Sequence, residues 1–213
     1  MIEIERKGAN ALTIKSNQTK MTVDPNLSMV GLKNLKTADG IELSTEDRFS
    51  LKDSEASVII NGPGEYGVAD FDIAGFSVLR HIDGDGDEKL STIYRVEVGS
   101  EARICIIGNI SNKLGEDQYE KIGVIDILII PVGGNGYTLD AKDAAHIVKN
   151  IEPKVVIPVS YAESGVKYEV PQDNVELFIK ELGTQNIEKT AKYKVKSATT
   201  LPDLLTVVEI ERS

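Results

Sequence analysis

One cysteine, two histidines and no tryptophan stand in 213 residues. A lone thiol excludes a disulfide framework within the chain. Cys105 lies in Ile104-Cys105-Ile106-Ile107, where a thiol behaves as a small hydrophobe rather than a nucleophile. His81 and His146 are too few for a dinuclear, histidine-rich metal centre, because each catalytic zinc takes about three nitrogen, sulfur or carboxylate ligands. Positive charge is scarce as well. Lys and Arg number 24 against 34 Asp and Glu, a net charge of -10. That balance argues against nucleic acid and anionic membranes as partners, and describes a solvated surface without identifying a positive partner. No apolar run approaches the length of a membrane span, and no signal-peptide core follows Met1, so the cytoplasm is the expected location.

What is present reads as a single domain over residues 1–213, rich in strands. Met1–Arg6, Ala11–Lys15 and Lys20–Val23 form an expected meander, stopped by Asp24-Pro25-Asn26 because proline has no donor and restricts the residue before it. Ser57–Ile60, Phe71–Leu79, Ser91–Val98 and Ala102–Ile107 are further strand candidates. The period then changes. Glu116–Ile122 reads as a short helix, and Ile125–Val132 as a strand buried on both faces, interrupted only by Asp126 and Pro131. Thr138–Asn150 is an amphipathic helix with Asp140 at its N-cap and Ala144, Ile147, Val148 and Ile151 on its apolar stripe. His146 falls within this helix as a partly exposed residue. Val155–Ile157 is another buried strand, Asn174–Leu182 a helix ended by Gly183, and Tyr193–Val195 and Leu204–Ile210 are closing strands. Two packed sheets with helices outside suit this order.

Several motifs invite chemistry and fall short of it. Gly133, Gly134 and Gly136 follow a buried strand, but the lysine and spacing of a phosphate loop are missing. Asp83, Asp85 and Asp87 alternate like the start of a calcium loop. Glu88 stands where that loop needs glycine, and Tyr94 where it needs a bidentate glutamate. Ser50 and Ser160 have no evident histidine base.

Five segments carry a resemblance. They are Val23-Asp24-Pro25, the turn Asn61-Gly62-Pro63-Gly64-Glu65-Tyr66, the strand Ile125–Val132 ending in Pro131-Val132-Gly133-Gly134, the helix start Tyr137–Ala144, and Ile151–Pro158. In this order they resemble the small bacterial zinc hydrolases of the metallo-β-lactamase superfamily, roughly from Met1 to Leu182. The resemblance implies an α/β fold, a four-layer αββα sandwich, with a metal site on loops at one edge.

The resemblance also implies where ligands would stand, and those positions hold other residues. In the segment from Ile41 to Ser50, where a short apolar strand should run into an H-x-H-x-D-H turn, Thr45, Asp47, Phe49 and Ser50 replace His, His, Asp and His. Arg80 or His81 occupies the next histidine position. Asn109 replaces the bridging aspartate, and Ser160 the last histidine. Thr, Ser, Asn and Phe are poor zinc ligands, so no catalytic residue, metal or cofactor is expected at this vestigial pocket. A guanidinium from Arg48 or Arg80 is expected to pair with Glu46 or Asp47 and fill part of the space.

The expected function is that of a non-catalytic scaffold for binding or assembly. Its partner is an unidentified protein or small molecule, with a homo-oligomer possible. The alternative is a hydrolase whose unconventional site uses Asp47, His81, Asn109 and Ser160. A third reading is a metal-independent sensor of a small molecule in the same cleft.

Overall fold

The computed structural model describes residues 1–17, 19–80 and 89–213. Fourteen strands among these residues form two sheets. The first sheet contains β1 (Ile2–Gly8), β2 (Ala11–Lys15), β3 (Lys20–Val23), β4 (Ile41–Leu43), β5 (Val58–Ile60) and β13 (Tyr193–Val195), in the order β13-β1-β2-β3-β4-β5. β13, β1, β2 and β3 are antiparallel neighbours; β4 and β5 then run parallel to β3.

The second sheet contains β6 (Gly64–Val68), β7 (Phe71–Leu79), β8 (Leu90–Val98), β9 (Ala102–Ile106), β10 (Ile127–Pro131), β11 (Val155–Val159), β12 (Ile187–Thr190) and β14 (Thr206–Ile210). Its order is β12-β14-β11-β10-β9-β8-β7-β6, parallel from β12 to β9 and antiparallel from β8 to β6.

The expected meander, the helices and the buried strands are all present, with ends displaced by one to three residues at most of them. β12 and β6 are the additions. β12 is short and largely exposed, so it carries no apolar alternation to read. β6 begins within the segment expected as a turn, and residues 61–63 alone make the connection.

Strand periodicity builds two cores from one sheet. In β10, Ile127 and Ile129 face the first sheet, while Leu128 and Ile130 face the helices. The polar interruption at Asp126 is satisfied: its carboxylate accepts hydrogen bonds from the Arg103 N–H at 2.9 Å and Nε at 3.1 Å. The helix-side core takes in α1 (Glu116–Ile122), α2 (Ala141–Ile151) and α3 (Val175–Leu182). All three lie on the second sheet.

The outer face of the first sheet is covered by loops. Thr22 on β3 bonds to Thr37, while Glu42 on β4 accepts from the Leu51 N–H at 3.0 Å and from the Ser54 hydroxyl. The two-sheet sandwich stands as expected, with loop supplying the cover that the resemblance assigns to helix on that side.

α2 starts where Asp140 Oδ1 accepts the Asp143 N–H at 2.8 Å. Asp140→Ala is expected to cost about 1 kcal/mol, lowering the melting temperature by about 2–4 °C without altering the circular dichroism spectrum of the folded state. An unchanged melting temperature would mean the cap contributes nothing.

Candidate functional site

The site loop leaves β4 at Ser44 and is held from three directions. The Ser44 N–H continues the ladder to the Ile60 carbonyl at 2.8 Å, and the Tyr94 hydroxyl donates to the Ser44 carbonyl at 2.9 Å. The Thr45 carbonyl accepts from the Thr92 N–H at 2.9 Å and the Ser91 hydroxyl at 3.3 Å. A short 3₁₀ turn over Asp47–Phe49 then reverses the chain. Gly108 is required beneath this loop, because a β-carbon there would lie 2.5 Å from Thr45 Oγ1. The Gly108-Asn109 turn and Thr45 therefore meet in van der Waals contact.

Thr45 is turned to Asp24. Its N–H and its hydroxyl both donate to the Asp24 carboxylate, at 2.7 and 2.8 Å. Asp24 ends β3 with φ 47° and is buried. Burial pushes its carboxyl up to about 7, against the lowering effect of the two Thr45 bonds. Nearby Glu46 adds to the rise and Arg48 opposes it.

Glu46 is the centre of an ion cluster. Its Oε2 lies 2.8 Å from Arg48 Nε and 2.9 Å from Arg80 Nη1. The expected pairing is thus present on Glu46, from both arginines. The Arg48 guanidinium also stacks between rings, 4.8 Å from the centroid of Phe49 and 5.4 Å from that of Tyr137. Arg80 is fixed at the end of β7 by an isolated antiparallel bridge to Ile110. Burial raises the Tyr137 hydroxyl above its ordinary value.

Beside the cluster lies a small cavity of about 20 Å³, lined by Asp24, Phe49, Asn109, Tyr137, Ser160 and Tyr168 among others. It has room for one water-sized species. Ser160, at φ 49°, donates its hydroxyl to Asn10 Oδ1 at 2.6 Å. Its position depends on Gly133, where a β-carbon would sit 2.1 Å from the Ser160 carbonyl oxygen. The roof is made of Leu27 and Val30 with Tyr168, tied by the Lys167 N–H to the Val30 carbonyl at 2.9 Å.

The residues expected at one vestigial pocket are therefore divided. Phe49, Asn109 and Ser160 line the cavity, Thr45 stands behind it on Asp24, and Arg80 joins the ion cluster. Asp47 and Ser50 belong instead to a neighbouring open groove with Asn26, Arg48 and Lys52. The position shared between Arg80 and His81 is resolved only for Arg80; His81 lies outside the described residues, as do Asp83, Asp85 and Asp87. His146 is exposed on α2, within 3.2 Å of Asn150 Nδ2. Cys105 is buried, which raises its thiol far above the ordinary range. Asn10, Tyr137 and Tyr168 were not legible as site residues; Asp24 could have been, since the Asp-Pro step that ends β3 is one of the segments carrying the resemblance.

Zinc does not fit this donor set. Hydroxyl, amide and phenyl groups occupy most of the positions that the resemblance assigns to ligands, Asp47 belongs to the neighbouring groove, and the Glu46 carboxylate is already paired with two guanidiniums. Among the described residues no group of three His, Cys, Asp or Glu side chains could hold a metal ion. In the same residues no helix is long and apolar enough to cross a membrane.

Comparison with known proteins places these observations. A family model described as a β-lactamase superfamily domain matches residues 3–160. A UPF0173 metal-dependent hydrolase from Carboxydothermus hydrogenoformans is 44% identical over 41 residues, 19% of this chain and 18% of that protein. The match therefore spans less than a fifth of its length. Among solved structures, a Thermotoga maritima protein assigned as a Zn-dependent hydrolase of the metallo-β-lactamase superfamily aligns with a TM-score of 0.78 and 21% identity. The alignment covers 99% of this chain and 100% of that one. Igni18, a metallo hydrolase from Ignicoccus hospitalis, aligns with a TM-score of 0.61 and 16% identity over 85% of this chain and 90% of its own. With a family match that runs from β1 to Ser160, and a fold shared over nearly the whole chain, the protein belongs to the metallo-β-lactamase superfamily.

Proposed function

We propose that this protein is a non-catalytic member of its superfamily, whose scaffold serves binding or assembly. One observation carries the reading: Arg48, Glu46 and Arg80 form a compact ion cluster at the edge where the sequence resemblance places a metal site. The charge of a carboxylate between two guanidiniums is more than balanced, so it needs no dication. The Asp24 carboxylate is engaged as well, accepting the Thr45 N–H and the Thr45 hydroxyl.

The relatives described above are metal-dependent hydrolases, so hydrolysis is the reading to test against. A cavity of about 20 Å³ holds water and no organic substrate, which weighs against catalysis in the closed cleft. Turnover of ester, lactone and phosphodiester substrates, with and without added zinc or manganese, is expected to stay at the uncatalysed rate. Metal-stimulated turnover that disappears in Asp47→Ala or His81→Ala would establish the hydrolase instead.

A further inference from the structure

We propose that β6, the open edge of the second sheet, takes up an extended peptide segment with lysine or arginine at alternate positions as an added strand. The inference starts from a comparison of edges. A sheet edge presents unpaired backbone N–H and C=O groups, which proteins blunt with lysine, proline or short strands. Among the described residues, the edge strands β5 and β13 are three residues long, and β12 carries the exposed Lys189. In the same residues β6 runs over five, Gly64–Val68, bonds to β7 alone, and contains neither lysine nor proline. Its outward backbone groups are a template for one more strand.

Charge selects that strand. Tyr66 and Ile73 turn toward the first sheet, so Glu65, Gly67, Asp72 and Ala74 share the outer face. Glu65 is exposed on β6 itself. Asp72 stands opposite Gly67, and a β-carbon on that glycine would lie 3.6 Å from Asp72 Oδ1. The missing side chain therefore lets the Asp72 carboxylate lean over β6 toward the open edge. Among the described residues neither carboxylate has a hydrogen bond or ion pair.

Positions 65 and 67 are about 7 Å apart along the strand, the spacing of like-facing side chains on an added neighbour. Cations at i and i+2 of that neighbour each meet one carboxylate. Arg95 lies beyond Ala74 in the row of Glu65 and is paired with Glu97 at 3.4 Å. These side chains line a shallow groove of about 370 Å³ beside the edge. A second copy of β6 would bring its own Glu65 and Asp72 to the same seam and be repelled. The net charge of -10 steers a basic segment toward the chain.

The test is fluorescence anisotropy with a labelled, end-capped peptide of alternating lysine and valine. Saturable binding at one peptide per chain is expected at low ionic strength. Glu65→Gln combined with Asp72→Asn should weaken it about 3- to 20-fold, and both side chains are exposed, so the fold is not at stake. The same peptide N-methylated on every amide keeps its charges and loses its strand-pairing donors. It should bind about tenfold more weakly or worse. Amide exchange across Gly64–Val68 should slow when the unmethylated peptide saturates. Equal affinity of the methylated peptide, or of a glutamate–valine peptide, would overturn the proposal and leave a nonspecific contact. A wild-type chain that sediments as a dimer and does not bind the peptide would also overturn it, assigning the edge to a second copy. No turnover is measured, so neither result depends on whether the protein is a hydrolase.

Discussion

Glu46→Ala should lower the melting temperature by about 5–15 °C, the largest effect expected of a single substitution at the site. The carboxylate is 3% exposed and sits between guanidiniums that are 21% and 14% exposed. Removing it leaves two like charges close together, each having lost a charge-assisted bond. Breaking a fully buried pair costs about 3–5 kcal/mol. Partial access of the two arginines to water reduces this to about 2–4 kcal/mol. The triple replacement of Glu46, Arg48 and Arg80 by leucine should recover much of the loss, because an apolar filling removes the orphaned charges together with their partner. A Glu46→Ala protein that melts within 1 °C of wild type would show that the cluster is solvated and carries no structural weight.

Asp24→Asn should change the shape of the stability profile with pH. Burial raises the folded-state carboxyl from its ordinary 3.8 to about 7. In the unfolded chain the group loses its proton near the ordinary value, so between the two values the folded state binds more protons. The stabilisation is fully present below about pH 4. It is lost as pH rises through 7, and amounts to roughly 3–4 kcal/mol over that interval. The neighbouring charges Glu46 and Arg48 act in opposite directions and leave the sign unchanged. Asparagine can still accept the Thr45 N–H and has no charge to desolvate. The variant should therefore lose this component of the decline, so that its stability relative to wild type improves steadily from pH 4 to pH 8. Chemical denaturation at five pH values measures the difference, and parallel profiles for the two proteins would contradict the assignment.

The fold was legible because its signals are local and redundant. Continuous apolar runs at Ile127–Pro131 and Val155–Val159 are strands buried on both faces, and Asp140 and Gly183 delimit helices where capping chemistry says they should. β12 escaped because an exposed edge strand such as Ile187–Thr190 needs no apolar alternation.

At the site, the pairing of an arginine with a loop carboxylate could be read from the sequence, and its partners could not. That both arginines would choose Glu46 over Asp47 depends on which side of a 3₁₀ turn each carboxylate leaves, a tertiary fact. The Asp24–Thr45 pair joins residues 21 apart, and the Ser160–Asn10 bond residues 150 apart. No local pattern announces such contacts.

The central claim is that a guanidinium–carboxylate cluster stands where the sequence resemblance places a metal site. The most direct test is elemental analysis of the purified protein, before and after incubation with zinc and manganese. The account predicts near-zero zinc and manganese per chain in both samples, and a melting temperature unaffected by chelator. One or more tightly held ions per chain would contradict it, and would make Asp47 and His81 the first residues to replace.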